Sequence, residues 1–443
     1  MQAAPGESVS GSYDVVIAGA GIAGLSLAAL LARREDCSVL IVEKSEEAGG
    51  RFSVEERDGY LVDFGVHACL FGSRGAIGTV LSRCENRPSI VPAGAAIYDG
   101  ERVCPFLGDN LFSLARQRVV SAGDLVRLGV DAIRSRGESS YETSVTGWAR
   151  KRGPSPSLER VLQSLSVALL PTDRFESASA GELFAFLRQA MRRLVAMGYP
   201  RGGWGAVIKT LVATVERSSK CKLVFGAELE RILAPGKRVD HVVISGREVG
   251  ARAVVCAFPP QQLAREDFIQ PALRREYVEY LGSLLESSGL FVDIGLSSPV
   301  TEDDRLIMVL EPPALLWAVS NISPEVAPPG RQLLQLFSPL SNGERFNASL
   351  IEERTRQLVE LAERVFKDSL REQWRRAIAS TVVGVAPYTT QSRHLRPDIT
   401  VPGFRGVFLA GDGVNAPGLG GDLAARSALK AERLVYGYLK RRG

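Results

Sequence analysis

The chain has 443 residues, of which 45% are hydrophobic and 23% charged, and a formal net charge of +4. That length exceeds one small core and implies two domains or one large discontinuous one, while the modest charge, with no basic block, argues against nucleic acid binding. Six cysteines (37, 69, 84, 104, 221 and 256) show no C-x-x-C spacing, which argues against a zinc site or a disulfide framework and suits the reducing cytoplasm.

The first twelve residues, MQAAPGESVSGS, have neither a basic start nor an apolar stretch, so no secretory signal is expected. Val15 to Ala32 is long and apolar enough to suggest a membrane span. Three glycines within its first ten residues favour a buried strand, turn and helix instead. Gly19, Gly21 and Gly24 form G-x-G-x-x-G directly after the apolar run Val15 to Ala18. Such glycines permit a tight turn, close approach of a pyrophosphate and close helix–strand packing. The helix start, Ile22 and Ala23, would face the phosphates with unpaired N–H groups. A second strand, Ser38 to Val42, ends at Glu43, nineteen residues after Gly24. A carboxylate there can accept hydrogen bonds from a ribose diol and repels a 2′-phosphate. This unit alone leaves FAD and NAD equally open.

Further motifs follow in order. Gly49, Gly50 and Arg51 come six residues after Glu43, and Asp63, Gly65 and His67 make D-x-G-x-H. Tyr199 to Glu216 opens Y-P-R-G-G, and four short apolar runs to Ala257, broken at Gly226, Pro235–Gly236 and Gly246, read as a β-meander. Near the end, an apolar strand from Val407 enters L-A-G-D, a glycine loop and an Ala- and Leu-rich helix. In this combination the chain resembles the FAD superfamily of amine oxidases, protoporphyrinogen oxidases and phytoene desaturases, phytoene-desaturase-like proteins above all. The resemblance covers about residues 13–72, 199–260 and 380–437.

That resemblance implies an α/β fold: a discontinuous Rossmann-type FAD-binding domain with a β-meander, plus a mainly helical or mixed substrate domain. The expected parts are 1–72, 199–260 and 380–443 for FAD, with 73–198 as a helical cap and 261–379 as a substrate domain. It implies FAD as cofactor, with Arg51 at its phosphates, the backbone of Leu229 at its adenine, and Gly411 and Asp412 at its ribityl or phosphate part. The helix starting at Gly421 to Leu423 would aim N–H groups at the isoalloxazine edge that becomes negative on reduction, with Asp422 as a cap.

The middle of the chain carries no motif tied to chemistry. Between Arg116 and Arg152 eight basic residues face four acidic ones. This stretch reads either as a solvated helix face or as peripheral contact with an anionic membrane. His67 and His394 are the candidate acid–base residues, each with a structural role as the alternative. Hydride transfer to flavin needs no metal and no nucleophile. The leading expectation is therefore an FAD-dependent oxidoreductase, a desaturase, dehydrogenase or isomerase, acting on a small hydrophobic substrate such as a carotenoid or polyisoprenoid. Alternatives are a flavin amine oxidase, which needs an aromatic cage where only Tyr388 is evident, and an FAD-binding protein without turnover. The sequence leaves the electron acceptor and oligomeric state open.

Overall fold

The computed structural model describes residues 10–34, 36–107, 113–135, 137–193, 196–341 and 343–441. The absence of a signal expected for the N-terminus therefore concerns residues that mostly lie outside those described. Two large sheets organise the chain. The first, of eight strands, consists of β1 (Ser12–Ala18), β2 (Val39–Val42), β3 (Cys221–Val224), β4 (Leu229–Leu233), β5 (His241–Ile244), β6 (Arg247–Cys256), β7 (Ile269–Gln270) and β8 (Val407–Leu409). Its order is β3-β2-β1-β6-β5-β4-β7, with β8 also paired to β6.

β3, β2, β1 and β6 run parallel, in registers such as Ile17 with Ile41 and Val15 with Ala253. β4, β5 and β6 form the antiparallel meander, and β8 joins β6 in parallel at Val254 to Cys256. Residues from the start, middle and end of the chain thus share one sheet. The four residues of β2, Val-Leu-Ile-Val, are all buried, as strands covered on both faces require.

The helices that matter below are α1 (Ile22–Leu31), α2 (Ala76–Leu81), α3 (Ala122–Arg134), α4 (Pro156–Leu169), α5 (Ala180–Arg193) and α6 (Gly420–Lys440). All ten residues of α1 are buried, and it packs against α6. A helix whose one polar side chain is Ser26 is stable only when enclosed, so the membrane-like run is core. Among the described residues no helix is long and apolar enough to cross a membrane.

The second sheet has seven strands: Glu372–Val383, Ser287–Leu296, Gln332–Leu340, Ala314–Ala318, Leu306–Val309, Ala95–Tyr98 and Val103–Leu107, in that order. The last two fall within 73–198, expected to be helical. AAIY and VCPFL flank the turn residues Asp99 and Gly100, and they form a hairpin whose first strand pairs in parallel with Leu306–Val309. Apolar runs this short carry no period that separates strand from buried helix, and the partner lies about 200 residues downstream. The central strands Ser287–Leu296 and Gln332–Leu340 are buried throughout. The helix Ala348–Phe366 contributes Leu358, Leu361 and Ala362 to the core cluster that contains their Leu290, Val292, Leu334 and Leu336.

Candidate active site

A cavity of about 570 Å³ lies between the sheets. Its first wall is built where β1 turns into α1. Gly19 sits at φ +108°, in the left-handed region that glycine tolerates. A Cβ at Gly24 would stand 1.9 Å from the Gly19 carbonyl oxygen, so only glycine lets the helix close on the turn. Glu43, at the end of β2, accepts the Ala20 N–H at 2.7 Å through Oε2 and the Ser45 N–H at 3.0 Å through Oε1. It thereby pins the glycine turn; the Ser45 hydroxyl also donates to Oε1 at 2.8 Å, so the lone pair left for a ligand is on Oε2.

The Gly49–Gly50–Arg51 loop lies on that turn. Gly49 N–H donates to the Ala20 carbonyl at 2.9 Å, and Gly21 and Gly49 form an isolated parallel bridge. Gly49 is at φ +117° and Gly50 at +57°. Arg51 then reaches across to Asp412, its Nη1 and Nη2 donating at 2.6 and 2.8 Å, and also donates to the Val382 carbonyl at 2.8 Å. Burial works to raise the Asp412 carboxyl, but the guanidinium and the Gly384 N–H outweigh it and hold it below the ordinary carboxylate value.

The last clamp is the start of α6. Leu419, Gly420 and Gly421 line the cavity, and no side chain caps the helix. α1 likewise starts uncapped at Gly21, with Ile22 and Ala23 on the cavity wall. Two helix N-termini with free N–H groups therefore open on one space. A Cβ at Gly421 would meet the Phe52 ring at 2.7 Å, so the loop touches that ring only because it is glycine.

The two expected acid–base histidines part company. His67 lines the cavity, stacked on Phe52 with centroids 4.1 Å apart. Its Nε2 faces the carbonyl oxygens of Arg51 at 2.9 Å and Phe64 at 3.2 Å. Two acceptors fix the Nε2–H tautomer, and burial lowers its pKa to about 4. His67 is thus a neutral donor holding the Arg51 loop, which favours the structural role over acid–base chemistry. His394 does not line the cavity; its ring meets Tyr141 edge-on at 5.7 Å, and Nε2 lies 3.8 Å from Glu142.

Of the residues named from sequence, Gly19, Gly21, Ile22, Ala23, Glu43, Gly49, Gly50, Arg51, Leu229, Gly411, Asp412 and Gly421 line this one cavity. Gly24 lies beneath it. Asp422 and Leu423 do not line it. Asp422 is in the first turn of α6, but its carboxylate accepts from the Ala76 N–H of α2 at 2.6 Å and from Arg426 at 2.9 Å. It caps a neighbouring helix rather than its own, because α2 offers an unpaired N–H inside hydrogen-bond reach.

The second sheet and α4 supply a wall with no sequence signature. Ala168, Leu169, Leu306, Leu315, Val382 and Val383 make it apolar. Glu286 stands on it, accepting from Thr381 Oγ1 at 2.9 Å and pairing with Arg345 at 2.5 Å. Phe52, Phe258 and Phe268 also line the cavity; among the described lining residues there is no Tyr or Trp. Tyr388 is buried elsewhere, its hydroxyl 3.3 Å from Thr172 Oγ1. Trp204 backs the site, donating to the His67 carbonyl at 2.8 Å and meeting Phe52 edge-on. Phe52 had a usable signal in its place after Arg51. Glu286 and the apolar wall had none.

These residues fit a flavin dinucleotide: a glycine cradle that a Cβ would fill, two uncapped helix starts facing anionic groups, and a diol-accepting carboxylate. No group of three or more His, Cys, Asp or Glu residues able to hold a metal occurs among the described residues.

Residues 22–433 match the model of the family described as flavin containing amine oxidoreductase. A stretch of 68 residues is 40% identical to an uncharacterised protein encoded 3′ of nifH2 in Methanothermococcus thermolithotrophicus, covering 15% of this chain and 65% of that relative. An oxidoreductase from Methanosarcina mazei superposes with a TM-score of 0.79 at 19% identity, over 95% of this chain and 99% of that one. Cyclohexylamine oxidase from Brevibacterium oxydans superposes at 0.72 and 20% identity, over 97% and 100%. At such identities these structures share the fold.

Proposed function

The chain belongs to the family of flavin-containing amine oxidoreductases, and from that premise we propose that it is an FAD-dependent oxidoreductase that dehydrogenates a hydrophobic substrate, a polyisoprenoid or carotenoid being the class the cavity suits. The observation that carries this reading is the apolar wall of Leu306, Leu315, Val382, Val383, Ala168 and Leu169. FAD bound in the cradle supplies a two-electron acceptor for hydride.

In this reading the protein's own groups bind, orient and exclude water. The N-terminus of α1 and the Arg51 N–H groups that Asp412 and Val382 leave unused would donate to the dinucleotide's phosphates, and Glu43 accepts from a ribose diol while repelling a 2′-phosphate. The uncapped start of α6 places its positive end where charge develops on reduction. His67, neutral and donating, moves no proton. The apolar wall holds a C–H bond against the ring and keeps solvent away.

A second reading, amine oxidation, is favoured by the Glu286 carboxylate on the same wall. Arg345 already balances that charge, and among the described lining residues there is no tyrosine or tryptophan cage, so we rank it second. Anaerobic mixing of the FAD-loaded protein with polyenes or with primary amines separates the two. Bleaching of the flavin band by polyenes alone is expected. Bleaching by amines alone, with peroxide released in air, reverses the order.

A further inference from the structure

Helix α3 is amphipathic in the reverse sense. Its two acids are buried, Asp124 at 5% and Asp131 at 4% exposure, while Val126, Val130 and Ile133 stand 57%, 37% and 51% exposed. The inward acids have work there. Asp131 accepts from Trp148 Nε1 at 3.0 Å and from Arg152 at 2.7 Å. Asp124 accepts from the Ser121 hydroxyl at 2.9 Å. Arg188 of α5 donates to the Ala132 and Ser135 carbonyls at 2.7 and 3.0 Å, tying down the end of the helix. These polar bonds fix the rotation of α3 and leave its apolar edge in water.

At about 100° per residue, Ile133, Val126 and Val130 fall on one contiguous arc, followed by Arg134 and Arg127. Both arginines are exposed, and no acid shares the arc. Three large aliphatic side chains beside two arginines, with both carboxylates buried and only Arg127 near one of them (3.5 Å from Asp124), form the pattern of a helix lying in a membrane interface. A second copy of the chain is a poorer occupant, because self-pairing of this face brings arginines from both copies to one seam. A solvated face explains the arginines and leaves the aliphatic edge without a reason.

We infer that α3 is a docking face for an anionic lipid bilayer, with Val126, Val130 and Ile133 entering the headgroup region and Arg127 and Arg134 meeting lipid phosphates. The packing links this face to the site: α3 lies on α5, α5 touches α4, and α4 ends at Ala168 and Leu169 on the cavity wall. The inference goes beyond the redox reading and stands without it, since its test measures capture by vesicles and not turnover.

The test is sedimentation of the full FAD-loaded chain with vesicles of phosphatidylcholine, and with vesicles of phosphatidylcholine mixed with phosphatidylglycerol. Capture by the mixed vesicles and release at high salt are expected. V126S/V130S/I133S should bind at least about tenfold more weakly. R127Q/R134Q should lose about fivefold for each arginine. Unchanged flavin absorbance and melting temperature show that these surface variants remain folded. No capture, equal capture by neutral vesicles, or capture indifferent to both variants overturns the inference. Self-association that vanishes in the serine variant, without vesicle capture, assigns the face to a second copy and also overturns it.

Discussion

Arg51 and Asp412, 361 positions apart, meet in a two-pronged ion pair at 2.6 and 2.8 Å. The pair joins the loop after β2 to the loop after β8, so it ties the two ends of the chain across the cavity. Arg51→Ala leaves a carboxylate of 7% side-chain exposure without its cation. Breaking a buried pair costs about 3–5 kcal/mol; because Arg51 itself is 36% exposed, we expect about 2 kcal/mol in urea unfolding of the apoprotein. We also expect at least a tenfold rise in the Kd for FAD, read from flavin absorbance. The double variant R51A/D412N should be more stable than R51A. If R51A binds FAD as tightly as the parent, the clamp is misassigned. The Asp412 carboxyl is held below its ordinary value of 3.8, so its contribution is present above that pH and is lost as acid takes it lower.

His67 offers a pH test. Its folded pKa of about 4 lies below the ordinary 6.5, so between those values the unfolded chain binds the proton and the folded one does not. Stability from His67 is complete above pH 6.5 and drains away as pH falls towards 4. His67→Gln keeps an N–H donor and removes the titration. Its melting temperature should fall less than the parent's between pH 6.5 and 4, with turnover within about tenfold. A loss of 10²-fold or more, on the scale of acid–base catalysis, would restore a proton-transfer role.

Asp63 runs the other way. Burial raises its pKa from 3.8 to about 7, outweighing the Tyr199 hydroxyl and the Trp204 N–H, whose hydrogen bonds to the carboxylate pull the other way. Its contribution is complete below 3.8 and is lost as pH climbs to 7. Asp63→Asn should therefore gain in melting temperature relative to the parent as pH rises from 5 to 8. A constant difference across that range would contradict the assignment.

The glycines separate by what they touch. Gly24→Ala drives a methyl into the Gly19 carbonyl at 1.9 Å, and backbone cannot step aside. Loss of soluble, flavin-binding protein is expected. Gly421→Ala meets the Phe52 ring at 2.7 Å, a side chain that can be shortened. Phe52→Leu added to it should recover part of the lost FAD affinity, measured by titration; no recovery would place the strain elsewhere.

Glu286 gives a test of the substrate class. In Glu286→Leu the wall that the second sheet and α4 supply loses its charge and keeps Thr381 as its polar side chain, while Arg345 loses its carboxylate partner. The KM for a hydrophobic substrate should fall or hold, while the flavin spectrum and FAD affinity stay unchanged. A collapse of turnover on amines alone would move the protein to the amine-oxidising reading.

Local patterns were enough for the cofactor sheet. Gly19, Gly21, Gly24 and Glu43 declare themselves because each answers a neighbour within a few dozen residues: a turn, a helix start, a strand end. The hairpin 95–107 and Glu286 do not, since the hairpin's partner lies about 200 residues downstream and those of Glu286, Arg345 and Thr381, come from a later turn and a later strand. Asp422 shows the same limit at close range: its place in a first turn is readable, but its partner, the N–H of Ala76, is not.

Sequence by itself therefore determined the dinucleotide turn near the start of the chain, because a glycine turn and an acid at fixed spacing are short-range demands of backbone geometry; that the far end returns to the same site was what the resemblance to the FAD family implied. Only the tertiary structure decided that His67 is a neutral donor, that His394 is absent from the cavity, and that α3 turns its aliphatic edge outward. Protonation, access and facing depend on which groups arrive from distant segments to desolvate or pair with a side chain, and no local pattern encodes that arrival.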